Sequence, residues 1–310
     1  MNKNVFLFSG QGSQYPNMGR ELLDECPSCR RIYEIGSEIV GFDIAKTSFE
    51  ATDSELSKTS ISQPCIFATS LVAFEVAKDR GIPFNAVAGH SLGEYSAMYA
   101  AGMISIEDAF KIIKVRSIAM QKAGENNPGS MCAVLGCDND TIAEICNITP
   151  GYVVPANFNS PSQTVIAGEI PAICDAILKL NEKGSKAIKL AVSAAFHTEL
   201  MQSAAEELYD AIGDIEFSDP SVDFYSNIVG GKLTDFSNMR EYLSRHIVSP
   251  VRFADELSSL KKDGYTNFIE IGPGKVLSGL VRKTLKGVTI VNIENKKSLE
   301  KTLEKLNMHE

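Results

Sequence analysis

The stretch FNAVAGHSLGEYSAMYAAG, residues 84–102, passes from an apolar, β-rich segment through a Gly-x-Ser-x-Gly turn into a run of helix formers. Strand, glycine turn and helix in that order make a nucleophile elbow, in which small residues let the chain bend sharply enough to lift the serine oxygen clear of the main chain. Ser91 is thereby a candidate nucleophile. It falls at a helix N-terminus, where free amides and the helix dipole stabilise negative charge.

The chain on either side of the elbow alternates in the same way. NVFLFS (4–9) reads as a strand, residues 18–40 as a helix, AVAGHS (86–91) as a strand, and Leu92 to Met120 as a long helical stretch. Strands interleaved with helices predict a mostly parallel sheet covered on both faces, hence a hydrolase-like α/β fold. From Gly129 the rhythm changes. SMCAVLG, NDTIAEICN, YVVPANF, SQTVIAG, PAICDAILKLNEKG and SKAIKLAV read in turn as strand, helix, strand, strand, helix and strand. That is the order of a ferredoxin-like split unit, here predicted as an inserted βαββαβ subdomain over 128–192. HTELMQSAAEELYDAI then reads as a helix and NFIEIGPGKVL as a strand entering a glycine turn, so 193–310 returns to the domain begun by 1–127. The tail from Lys296 reads as a charged amphipathic helix.

Composition limits the partners. At 310 residues, with 44% hydrophobic and 22% charged residues, the chain is an ordinary globular sequence with ample core. A net charge of −9 argues against nucleic acid, which binds basic surfaces. No stretch reads as a membrane span, and the short apolar run at the N-terminus gives way to a polar Gly/Gln/Ser loop instead of a signal-peptide core. Seven cysteines, an odd number in a long chain, point to a reducing cytoplasm and not to a disulfide framework. Cys26 and Cys29 in CPSC have no second pair or histidine at metal spacing, so neither a zinc site nor a redox role is assigned to them.

A serine nucleophile needs a base within hydrogen-bond reach, and only His90, His197, His246 and His309 are available. Neighbouring side chains on a sharp turn diverge, which disfavours His90, and His309 lies in the polar tail. His197, in a strand-to-helix loop (SAAFHTEL), and His246, near a helix end before Pro250, both remain; the loop position favours His197.

The blocks GQGSQ (10–14), SQP (62–64), GHSLGE (89–94), VRSIAMQ (115–121), ANFNSPSQ (156–163), AFH (195–197), SPVRF (249–253) and EIGPGKVL (270–277) stand in the order of a known family. In them the chain resembles the malonyl-CoA:acyl-carrier-protein transacylases and the related acyltransferases of polyketide synthases. The resemblance implies that Ser91 takes malonyl from malonyl-CoA, with His197 as base. It implies that the main-chain carbonyl of His246 orients that base, and that the N–H groups of Leu92 and Gln11 form the oxyanion hole. It implies further that Arg116 binds the malonyl carboxylate through its planar fork. Gln63, held extended by Pro64, is expected in the same pocket. Phe196 is expected to fill the space that an α-methyl group would need.

The acceptor implied is the phosphopantetheine thiol of an acyl carrier protein, with no bound cofactor or metal. GQGSQY has Tyr15 where a dinucleotide fingerprint needs its third glycine. Two departures from the family pattern stand out: His246 replaces the usual glutamine, and Ser9 the usual proline. Lys186, Lys189, Arg282 and Lys283 are candidates for a basic patch that receives an acidic carrier. A polyketide carrier in place of a fatty-acid carrier is the near alternative. A serine esterase using His246 and a carboxylate is the distant one.

Overall fold

The computed structural model describes residues 3–308. The first segment holds β1 (Lys3–Phe8), α1 (Arg20–Glu25), α2 (Arg30–Val40), α3 (Ile44–Glu50), α4 (Asp53–Leu56), α5 (Thr59–Asp79), β2 (Ala86–Gly89), α6 (Gly93–Ala100) and α7 (Ile106–Asn126). The middle holds β3 (Gly129–Leu135), α8 (Asn139–Ile148), β4 (Val153–Ser160), β5 (Gln163–Glu169), α9 (Ile170–Glu182) and β6 (Lys186–Lys189). The last segment holds α10 (Gln202–Ala211), β7 (Asp223–Ser226), β8 (Gly231–Lys232), α11 (Met239–Val248), α12 (Phe253–Lys262), β9 (Tyr265–Ile271), α13 (Val276–Thr284), β10 (Thr289–Ile293) and α14 (Lys296–Lys305).

The large sheet has the order β10-β9-β1-β2-β7-β8, parallel throughout except for the last pair. Its central strand shows why. Phe6 and Phe8 of β1 enter one core, while Val5 and Leu7, pointing the opposite way, enter another with Ala86 and Ala88 of β2. A strand buried on both faces reads as the unbroken apolar run VFLF, as parallel strands under two helical layers do.

The small sheet is antiparallel with the order β4-β5-β3-β6, the arrangement of a ferredoxin-like unit. Alternation on β3 again divides two cores. Cys132 and Val134 pack under α8 and α9 with Ile142, Ile173 and Leu180, whereas Met131 and Ala133 face the main core. A two-bond bridge ties this sheet to the large unit: Phe158 N–H donates to Val251 O at 2.8 Å, and Val251 N–H to Ala156 O at 2.9 Å.

Four local expectations need correction. The single helix over 18–40 is broken, because Pro27 cannot continue a helix and opens a short 3₁₀ turn, Pro27–Cys29. Cys26 and Cys29, to which no redox role is assigned from the sequence, are joined across that turn by a disulfide. The helix from Leu92 to Met120 is two helices, because Gly102 turns the chain at a φ of 76° and Ser105 starts α7 by accepting the Asp108 N–H. Gln63 is helical, not extended: it lies within α5 although Pro64 follows, since burial of nearly the whole helix outweighs the local preference before proline. Helix α5 is also long and apolar enough to cross a bilayer, a match not read from the sequence, but 83% of its most apolar stretch is buried inside the fold.

Candidate active site

Strand β2 delivers Ser91 to the top of the large sheet, and α6 leaves from Gly93. Ser91 has a φ of 51°, the left-handed region a non-glycine residue adopts only under constraint. Both flanking glycines are required by packing. A Cβ at Gly89 would lie 2.1 Å from the carbonyl carbon of Gly93, and one at Gly93 would lie 2.0 Å from Phe8 O. The turn can close this tightly only without side chains there.

The loop before α10 brings in His197, whose backbone is also left-handed, at a φ of 61°. Its Nε2 lies 2.7 Å from Ser91 Oγ, across 106 residues of sequence. Its Nδ1 faces two main-chain carbonyls, His246 O at 3.2 Å and Ser249 O at 3.1 Å. Two acceptors at Nδ1 require the hydrogen on that nitrogen, so Nε2 is bare and accepts the Ser91 hydroxyl proton. These acceptors exist because α11 ends there, leaving its last carbonyls without helical partners.

Burial, then the positive charge of Arg116 and the proximity of His90, lower the His197 pKa to about 3. The ring is therefore a neutral base at physiological pH. In the unfolded chain it would titrate near 6.5, so between about pH 3 and 6.5 the unfolded state binds more protons, and stability falls as pH falls through that window. This contribution is complete only above the upper limit. His197→Gln is expected to flatten the acid limb of the melting-temperature profile, with a residual slope from His90 and His246, both also depressed by burial. An unchanged limb would contradict a neutral, buried ring.

Arg116 is fully buried on α7, and its Nη2 donates to Ser91 Oγ at 3.1 Å. The guanidinium lies 4.9 Å from the ring centre of Tyr95, its Nε has no partner, and it forms no ion pair among the described residues. A buried cation without a carboxylate is costly, and an anionic group brought in by a ligand would complete it. Gln63 Nε2 donates to Gln11 Oε1 at 3.2 Å, while the buried Gln63 Oε1 is unpartnered. The main-chain N–H groups of Gln11 and Leu92 make no hydrogen bond among the described residues. Phe196 borders a cavity of about 570 Å³ together with Gln11, Thr59, Met120 and Ala194.

The other histidines lie elsewhere. His90 Nε2 is 2.7 Å from Asn159 Oδ1 of β4, turned away from its neighbour. His246 is buried behind His197, ring centres 5.8 Å apart, with Nε2 3.4 Å from Asn227 Oδ1 and 3.6 Å from Glu94 Oε2. His309 is outside the described residues. Lys186, Lys189, Arg282 and Lys283 are exposed, on β6 and the last turn of α13.

Sequence reasoning missed the polar cluster beneath the elbow: Glu94, Asn227, Tyr242 and Glu256. Burial raises Glu94 to about 7, against the opposing pull of Tyr242, which donates to it, of the Asn227 N–H and of Arg116. Glu256 is raised well above the usual carboxylate range by burial and by Glu94. Glu94 had a signal, one helical turn past Ser91 inside GHSLGE; Asn227 follows β7 in no recognisable motif.

An α/β scaffold with a serine and a histidine paired at its elbow defines a class of acyl-handling proteins, and the model of the acyl transferase domain family matches residues 5–304. The malonyl CoA-acyl carrier protein transacylase of Bacillus subtilis is 37% identical, over 99% of this chain and 98% of the relative. The crystal structure of the malonyl CoA-acyl carrier protein transacylase from Clostridium perfringens superposes with a TM-score of 0.94 at 39% identity, covering 98% of this chain and 97% of the other. A malonyl-transacylase solved with a type II polyketide-synthase acyl-carrier protein gives 0.93 at 32% identity, covering 98% and 100%. The chain belongs to the malonyl-CoA:acyl-carrier-protein transacylase family.

Proposed function

We propose that the protein moves a malonyl group from malonyl-CoA to the phosphopantetheine thiol of an acyl carrier protein through a malonyl-Ser91 ester, supplying extender units for fatty-acid synthesis. The observation that carries this reading is the convergence of His197 Nε2 and Arg116 Nη2 on Ser91 Oγ, at 2.7 and 3.1 Å. A nucleophile with a neutral base on one side and, on the other, a buried guanidinium with no ion pair among the described residues suits an acyl group that ends in a carboxylate.

In the first half-reaction His197 Nε2 takes the Ser91 proton as Oγ attacks the thioester carbonyl. The free amides of Leu92 and Gln11 stabilise the oxyanion, a role in which one donor is typically worth about 3–4 kcal/mol. As the C–S bond breaks, His197 returns the proton to the coenzyme A thiolate. In the second half-reaction the same nitrogen takes the proton of the carrier thiol, the thiolate attacks the ester, and Ser91 Oγ leaves with the proton. His197 ends each half-reaction neutral. Coenzyme A leaves before the carrier thiol enters, with malonyl held on Ser91 in between, so the kinetics are ping-pong.

We take residues 1–127 with 193–310 as the catalytic unit and 128–192 as a subdomain that walls the cleft, a division supported by the separate core beneath the small sheet. Exclusion of water from the ester follows from that enclosure. A cytoplasmic setting is part of the reading, supported by five free cysteines.

Intact-protein mass after incubation with malonyl-CoA is expected to rise by one malonyl group on Ser91, and to return to its starting value when a holo carrier protein is added. A chain that gains no mass, or that loses the adduct to water as fast without carrier as with it, would exclude transacylation. A fatty-acid carrier and a polyketide carrier run in parallel distinguish the two acceptors.

A further inference from the structure

We infer that Asn227 is the positioning residue that fixes Ser91 and His197 in register. It is fully buried in the loop after β7, and each of its polar groups is engaged. Its Oδ1 accepts the Ser91 N–H at 2.7 Å, and its Nδ2 donates to Gly89 O at 2.6 Å and to Glu256 Oε1 at 2.6 Å. Its own N–H donates to Glu94 Oε2 at 2.7 Å, and its carbonyl accepts the Arg252 N–H at 3.0 Å.

Two consequences follow from where those bonds fall. Gly89 O and the Ser91 N–H bracket His90, immediately before the left-handed torsion at Ser91, so one amide side chain holds the entry to the turn at two points. A left-handed serine persists only where the surroundings over-determine it; Asn227 supplies that determination. The same bond withdraws the Ser91 N–H from the reacting carbonyl, leaving the Leu92 and Gln11 amides as oxyanion donors.

The other side of Oδ1 faces His246 Nε2 at 3.4 Å. Since the His246 carbonyl accepts from His197 Nδ1, Asn227 joins the support of the base to the support of the nucleophile. It touches neither Ser91 Oγ nor the His197 ring, and so acts through their neighbours. An amide is needed at this point, with an acceptor and a donor side by side. Aspartate, ionised or protonated, has at most one donor where Nδ2 makes two bonds, and alanine offers neither acceptor nor donor.

The inference rests on Ser91 and His197 being the reacting pair, and its test separates the two. Wild type, Asn227→Ala and the isosteric Asn227→Asp are each treated with malonyl-CoA and, separately, with an ethyl alkyl fluorophosphonate that reacts at an activated serine. Intact mass gives both the rate constant and the fraction of sites that finally react. Asn227→Ala is expected to slow both reactions by about 100-fold, the scale of a misplacement near 1 Å. The reacting fraction should still reach completion, and the half-saturating malonyl-CoA concentration should be unchanged. Asn227→Asp, which keeps the acceptor and loses at least one of the two donated bonds, should show the same signature at about tenfold or more, a smaller misplacement on the same scale.

A folded variant of either kind that reacts at the wild-type rate per competent site, losing only melting temperature or reacting fraction, would overturn the assignment and leave Asn227 a structural residue. If the alanine variant does not fold, the aspartate variant decides. Wild type that reacts with the phosphonate but never with malonyl-CoA would overturn the malonyl reading, while the phosphonylation rates would still decide the role of Asn227.

Discussion

His197→Ala is expected to slow malonylation of Ser91 by roughly 10⁴-fold, the upper end of what a positioned acid–base group contributes. The full value is expected because one nitrogen serves each proton transfer in both half-reactions. Residual loading would come from the oxyanion donors and from substrate binding. His246→Ala is the matched control. The bond that orients His197 comes from the main-chain carbonyl of His246, which the substitution leaves in place, so its effect should be far smaller. Single-turnover loading followed by intact mass reads both variants. Loss of acylation in the His246 variant alone would point to an esterase-like arrangement and against the transacylase mechanism.

Arg116→Ala is expected to separate acyl groups by charge. Truncating one partner of a buried charge pair costs about 2–5 kcal/mol, which at about 1.4 kcal/mol per tenfold is roughly 30- to 4,000-fold on malonyl loading. Acetyl-CoA carries no carboxylate for the guanidinium, so acetyl loading should hold or rise. Equal loss of both acyl groups would remove carboxylate recognition from Arg116 and leave it supporting Ser91 Oγ. The resting protein adds a second readout. Arg116 is buried with no ion-pair partner among the described residues, so the free enzyme bears a desolvation cost that binding relieves. Arg116→Met, close in length and uncharged, is therefore expected to melt at the wild-type temperature or above it while losing malonyl preference. Stability and function would move in opposite directions, as at other sites built for a ligand.

The parts of the fold legible in the sequence were those governed by local pattern. The VFLF run of β1, the glycine turn around Ser91 and the four strands and two helices from β3 to β6 each carry a period or a turn signal within a few residues. The breaks at Pro27 and Gly102 obey local signals within runs that read as single helices, whereas at Gln63 a distant packing demand outweighed the local one. Pro64 predicts an extended Gln63, yet α5 runs through it because both ends of that helix are fixed in the core.

The site divided along the same line. Ser91 was legible because its geometry is written in its own neighbours. Arg116 was not: its helix pattern fits a solvent-facing side chain as well as a buried one, and only the resemblance pointed inward. Asn227 was illegible because its significance lies in five bonds to residues between 25 and 138 positions away, and no local signal marks such a residue.

The short segment from Ser249 to Val251 has two attachments. At one end the Ser249 carbonyl accepts from His197 Nδ1, and two residues on, Val251 is laced to β4. The small sheet and the base are thus fastened to the same strip of main chain, with almost no slack between them. A swing of the small sheet wide enough to part that lacing would drag on the imidazole and spoil its aim at Ser91. Cleft width and base alignment are one mechanical coordinate, so the cleft should admit the long thioester donor and the long thiol acceptor as a fixed slot and not as a jaw.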